Sequence, residues 1–385
     1  MIAVMFETFV PLLSLFIFLL GTGFFSTLLG LSMTLNHASP VAIGAMTGIY
    51  YAGLVLGSFR VERFITRVGH VAAYSVFSSL LAVIYLLHGI FYHVGLWLFL
   101  RLIAGFAAAG LFVVIESWLL CKSTKTNRGQ ILSLYMIAFY AASSLGQFFL
   151  NLGDSHSLLL FVVASMMSSL SLIPLSMSYV SPPKFDEPST LSLNTLIHIS
   201  PSGLAGCLSS GLIMGGLYAF MPTYLTDLFH EKAAVAKYMF AIIFGGMLLQ
   251  YPIGRLSDQV ERGTVLIILV TSTIVVSIAL MIGKSSSLFL SLMTLFGGLT
   301  FTLYPISISH ACDVLNEQDI VAGTQSLLLA YSIGAMGGPF IASLYLRSLG
   351  SPGLFIYFSS ICGAVMPLLI LWKGQKASLI KKTSF

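Results

Sequence analysis

The stretch LWLFLRLIAGFAAAGLFVVIESWLL, residues 96–120, is 25 residues long and carries two charges, Arg101 and Glu116. About 20 consecutive apolar residues cross a bilayer as a helix, so this stretch is expected to span a membrane. Each charge inside it costs about 2.5–3.5 kcal/mol on insertion scales, which persists only where a cavity, a partner or a task offsets it. The two are fifteen positions apart. On a helix that spacing puts them ~60° apart around the axis and ~22 Å apart along it, on one flank. Between them lie Gly105, Ala107, Ala108, Ala109 and Gly110, small residues that let a neighbouring helix come close. The helix is therefore expected to face a polar pathway, with Glu116 as a protonatable group and Arg101 as its electrostatic neighbour.

Working outward, the composition fits the same class. With 57% hydrophobic and 8% charged residues, a soluble domain of this length is excluded. The net charge of +5 does not point to nucleic acid, because the basic residues fall in short connectors. Four cysteines, at 121, 207, 312 and 362, show no ligand spacing, so neither a metal nor a disulfide framework is expected. The opening MIAVMFETF lacks the basic region of a secretory signal, so the first apolar segment is expected to be retained.

By the length criterion the chain holds twelve spans, at about 9–34, 41–60, 71–90, 95–120, 129–151, 157–180, 203–226, 235–254, 263–283, 286–310, 320–346 and 352–372. The polar, proline-rich stretch 181–202 reads as a linker between two bundles, 1–180 and 203–385. With a cytoplasmic N-terminus, the inner connectors and the tail hold thirteen Lys and Arg and the outer connectors four. That asymmetry places both termini in the cytoplasm. The halves read as copies: the connectors beginning at Gly57 and Gly254 are 197 apart, and the pairs Tyr140/Gly146 and Tyr331/Gly337 are 191 apart.

The motifs then add a resemblance. GRLSDQVER (254–262), with Gly254, Asp258 and Arg262, resembles the signature loop of the major facilitator superfamily. Its first-half copy, ITRVGH (65–70), keeps Arg67 and Gly69 and has Thr66 at the acid's position. LFLRLIAGFAAA (98–109), with Arg101 and Gly105, resembles the family's fourth-helix motif. GAMGGP, holding Gly334, Gly337, Gly338 and Pro339, looks like the glycine–proline motif of drug exporters, here in the eleventh span. VVIESWLLCKSTKTNRGQ, QYPIGRLSD and FTLYPISISHACD are similar to the YcaD-type branch of bacterial transporters. The resemblance implies an all-helical fold of two pseudo-symmetric six-helix bundles with solute bound between them. It also implies that Gly254, Asp258 and Arg262, with Arg67 and Gly69 of the first-half copy, latch the cytoplasmic side and that Gly105, Gly334, Gly337, Gly338 and Pro339 pack helices.

Helical spacing nominates a cavity surface. Tyr140, Ser144 and Gln147 share one face, as do Met214, Tyr218 and Met221. Gln250, Tyr304, Gln325 and Tyr331 are further candidates of the same kind, and for all of them helix packing is the plainer use. His310 and Asp313, one turn apart, form a possible titrating pair. No HExxH, GxSxG or phosphate-binding loop occurs, so an enzyme or an ATP-driven pump is not expected. The expectation is a monomeric secondary transporter of the bacterial inner membrane. It would move a small amphipathic or zwitterionic solute on the proton gradient, with no cofactor and with the lipid bilayer as its other partner. The alternative is a membrane sensor of transporter shape that binds solute without sustained flux.

Overall fold

The computed structural model describes residues 2–121, 128–154, 157–177, 193–282, 286–315 and 320–383. Residues 181–192 of the expected linker lie outside them, as do Lys122, Lys125, Lys184 and Lys284, four of the orientation markers. Among the described residues there are fourteen α-helices and no strands. They are α1 (Ile2–Leu35), α2 (Pro40–Val68), α3 (His70–Ile90), α4 (Val94–Cys121), α5 (Arg128–Gly146), α6 (Leu158–Leu170) and α7 (Leu172–Ser176). The second half adds α8 (Leu193–Ile199), α9 (Pro201–Phe229), α10 (Lys232–Gln259), α11 (Arg262–Ile282), α12 (Ser286–Cys312), α13 (Ile320–Leu349) and α14 (Gly353–Thr383). Twelve segments are long and apolar enough to cross a membrane, α6 and α7 counting together as the sixth.

Local sequence explains the breaks. Ser39 caps α2, its Oγ accepting from the Ala42 N–H, and Pro40 opens the helix where a missing N–H costs nothing. Gly69 (φ +86°) ends α2 and starts α3 in a conformation that suits glycine. The fifth span tightens into a 3-10 turn over Gln147–Leu152. The sixth breaks at Ser171, because Pro174 has no N–H for the Leu170 carbonyl. Ser171 is tied in by a 3.0 Å hydrogen bond from Tyr74 Oη.

The chain forms two compact units: Met1–Asp186 with Pro222–Phe240, and Glu187–Met221 with Ala241–Phe385. Within the first, Thr34 and Thr223 share a 2.9 Å hydroxyl hydrogen bond, Lys232 Nζ donates to the Gly153 carbonyl, and Phe148 packs on Phe240. Those contacts hold 222–240 there.

Four glycine crossings repeat at one spacing. In the first unit a Cβ on Gly23 would strike the Ser143 backbone, on Gly53 the Leu102 carbonyl, on Gly105 the Tyr50 carbonyl and on Gly146 the Leu20 carbonyl. In the second, Gly215 meets Ala335, Gly245 meets Thr294, Gly297 meets Ile242 and Gly338 meets Leu212. Each residue stands 192 positions after its counterpart. This corrects the expected offsets of 197 and 191. It also makes Gly338, not Gly337, the counterpart of Gly146; a Cβ on Gly337 would meet nothing within 4 Å. Gly334 does pack, against the Leu208 carbonyl, and Pro339 is buried against Gly215. One crossing exchanges its partners: Gly57 lies against Phe106 and Ala109, whereas 192 residues later Leu249 lies against Gly298.

Candidate functional site

Arg101 is 3% exposed, held by three helices of the first unit. Its Nε donates to the Met46 carbonyl (3.3 Å), its Nη2 to Ser26 Oγ (3.3 Å), and its Cζ lies 4.2 Å from the centre of the Tyr50 ring. Tyr51 and Tyr85 are within electrostatic reach. No carboxylate pairs with it among the described residues. Stacking on an aromatic face and donating to neutral oxygens are what a guanidinium does when no anion is at hand.

Three residues before Ser26 along α1, the Gly23 carbonyl accepts a 2.6 Å hydrogen bond from Gln147 Nε2. Gln147 is fully buried, and its Oε1 has no partner among the described residues. A cation and an open acceptor thus sit one turn apart along α1. The cause is local: Gly23 lets α5 close on α1, and the 3-10 turn beginning at Gln147 aims that side chain at α1.

Glu116 keeps the spacing expected of it and has its own partner. α4 runs unbroken from Val94 to Cys121, so the ~22 Å between the two charges stands and they are not neighbours. Glu116 is exposed, three residues from the end of its span, and its Oε1 accepts a 2.7 Å hydrogen bond from Tyr135 Oη of α5.

The signature loop forms a charge cluster inside the second unit. Arg262 pairs with Asp313, donates to the Ser309 carbonyl (3.1 Å) and lies 3.4 Å from Asp258, whose side chain is 71% exposed. Asp313 therefore serves Arg262, and His310 shares a 2.9 Å hydrogen bond with Ser202. A Cβ on Gly254 would meet nothing within 4 Å, so close approach is not its use in this conformation. In the first unit, His70 and Ser117 (3.1 Å) occupy the places of Arg262 and Ser309, again 192 residues apart. Arg67 is exposed and outside that contact, and Gly69 serves the turn. Asp258→Asn should shift unfolding stability by less than about 0.5 kcal/mol and Asp313→Asn by about 1 kcal/mol, an order that thermal unfolding in detergent checks.

The remaining candidates divide. Tyr140, Ser144, Met214 and Met221 are buried, and Ser144 Oγ donates within its own helix to Ala141. Tyr304 and Tyr331 come together, ring centres 4.6 Å apart and both half-buried. Tyr218 meets Phe301 edge-on at 6.3 Å. Gln250 is half-buried with an unpartnered Oε1, and Gln325 is exposed. The sequence reading did not single out Ser26, Tyr50 or Tyr135. Their one signal is a hydroxyl on an apolar helix, shared with many packing residues.

Twelve apolar spans carrying one six-helix pattern twice, with a buried guanidinium in the first copy, define a multi-pass integral membrane protein of carrier type. The sequence model of the Major Facilitator Superfamily matches residues 12–329, and the chain belongs to that transporter family. It is 28% identical over 352 residues to the uncharacterized MFS-type transporter YcaD of Escherichia coli O45:K1 (strain S88 / ExPEC), with 91% of each chain covered. The YcaD protein of Escherichia coli O81 (strain ED1a) matches to the same extent. Among solved structures, a mutant form of the nucleoside transporter NupG superposes with a TM-score of 0.77 at 14% identity, over 95% of this chain and 99% of that one. A bacterial homologue of the human lysosomal transporter Spinster, inward-facing and unoccupied, gives 0.71 at 14% identity, over 95% and 94%. Both likenesses concern the fold.

Proposed function

We propose that the protein is a proton-coupled secondary transporter of a small amphipathic or zwitterionic solute bearing an anionic group. The observation that carries this reading is Arg101: a buried guanidinium without a carboxylate partner among the described residues. A buried cation is retained where something offsets it, and a transient anionic ligand does so for part of a cycle. Gln147 Oε1 adds an acceptor one helical turn away, which suits the ammonium or N–H of the same solute. A phosphate ester would call for several cations together. In this reading the halves 1–180 and 203–385 rock about a midplane site in a bacterial inner membrane, with both termini cytoplasmic and the protein monomeric.

Glu116 is the proposed coupling residue. A carboxylate whose hydrogen-bond donor is a phenol on the next helix loses its charge on protonation while keeping a partner. Protonation then alters the α4–α5 contact without breaking it. Cells expressing wild type, Glu116→Gln or nothing are compared by mass spectrometry of cytoplasm and medium at two external pH values. Wild type is expected to redistribute one compound in a pH-dependent way, and Glu116→Gln to lose at least tenfold of that flux together with its pH dependence. Equal, equally pH-dependent flux in the variant would remove Glu116 from the mechanism and leave transport standing.

A further inference from the structure

The cytoplasmic end of α2, in the orientation proposed above, carries a feature that lies outside the Arg101 site. Arg60, Arg63, Phe64 and Arg67 line an open surface hollow of about 240 Å³. They stand at i, i+3, i+4 and i+7, one face of the helix. All three arginines are exposed, and none forms an ion pair among the described residues. Glu62 lies ~100° or more around the axis from each of them. Phe64 forms a fixed wall, its ring 5.4 Å from that of Phe77.

Toward the membrane the same face continues as apolar surface. Leu56 is 53% exposed and Phe59 60%. The order along the stripe is thus acyl-compatible surface, then three arginines around a hollow.

Basic residues are common at the inner ends of spans, and the repeat provides a control for that explanation. Positions 192 residues later hold Pro252 for Arg60, Arg255 for Arg63 and Gln259 for Arg67. One cation of the three has a counterpart. The triad is therefore not part of the scaffold that both halves share.

We propose that this face binds the phosphate headgroup of an anionic phospholipid, with the glycerol and upper acyl chain lying along Leu56 and Phe59. Guanidinium groups match phosphate oxygens in a planar, two-pronged fashion, and a lipid source accounts for the apolar approach that a free anion would not need. Each cation near an anionic lipid surface is worth about a fivefold change in affinity, so three together give on the order of a hundredfold.

Native mass spectrometry of the full-length protein in detergent, titrated with phosphatidylglycerol, phosphatidylcholine or inorganic phosphate, tests this. Wild type should retain phosphatidylglycerol at least about tenfold more tightly than phosphatidylcholine. The Arg60→Gln/Arg63→Gln/Arg67→Gln variant should lose on the order of a hundredfold, and Arg63→Gln alone, with its melting temperature unchanged, about fivefold. Equal retention in wild type and Arg63→Gln, or no preference over phosphatidylcholine, overturns the proposal. Complete displacement by millimolar inorganic phosphate would assign the hollow to a soluble anion and overturn the lipid assignment. The measurement requires neither flux nor orientation, so its failure would leave the transport reading untouched.

Discussion

Gly105→Val is expected to leave little folded protein, and Gly297→Val to do the same from the other half. At both positions even a Cβ would overlap a backbone carbonyl, that of Tyr50 or of Ile242. A side chain can turn away from an intruding methyl, whereas a carbonyl in an α-helix moves only with its helix. Overpacking commonly costs 1–3 kcal/mol, and separating α2 from α4 should exceed about 3 kcal/mol. Gly337→Ala is the contrast. Its Cβ would enter open space, and exchanging glycine for alanine inside a helix should stabilise by up to about 1 kcal/mol. Thermal unfolding in detergent checks both signs, and a Gly105→Val protein that melts like wild type would refute the crossing as drawn. Gly254→Ala adds a kinetic question, since open space surrounds it too. Preserved stability with reduced flux would mean that the close approach belongs to another conformation of the cycle.

Arg101→Lys is the second large effect. Lysine keeps the charge and loses the fork. It cannot donate from two separate nitrogens to the Met46 carbonyl and Ser26 Oγ while stacking over Tyr50, as the guanidinium does. Hydrogen bonds from charged groups contribute about 1.5–3 kcal/mol each. The variant should therefore lose at least one such contribution and at least tenfold in transport. Melting temperature and flux are measured on the same preparation. Full activity with unchanged melting would show that the forked hydrogen bonding of Arg101 does not matter. Lost flux with unchanged melting would place Arg101 on the solute alone.

The spans were legible because length and hydropathy decide them, and the duplication because a repeated crossing needs a repeated small residue. What the sequence could not supply was register. GAMGGP offers adjacent glycines, and only the position of the Leu212 carbonyl distinguishes Gly338, which packs, from Gly337, which does not. Partners across helices were equally hidden. Spacing along α4 places Arg101 and Glu116 on one flank, yet nothing in it names Ser26, Tyr50 or Tyr135, which come from other helices. The face 140/144/147 was real as periodicity, and its residues turned inward on α1 and on their own helix. Gly69 was noticed for a motif, and its backbone angle gives it a plainer use at a turn. The same holds for Met214 and Met221, whose periodic spacing records burial.

The exchanged crossing has a consequence for ancestry and for engineering. Gly57 lies against the Phe106 backbone and the Ala109 Cβ, whereas the Leu249 side chain lies against Gly298, so each half fills this crossing with its own pair of residues and fits its own helix alone. A chimaera that inserts the α12 sequence in place of α4 would set the equivalent of Phe301 where Ala109 meets Gly57 and crowd that crossing. The reciprocal graft of α4 for α12 would press a phenylalanine on Leu249. Two modules with a common origin have become non-interchangeable parts, and a single swapped contact records the divergence.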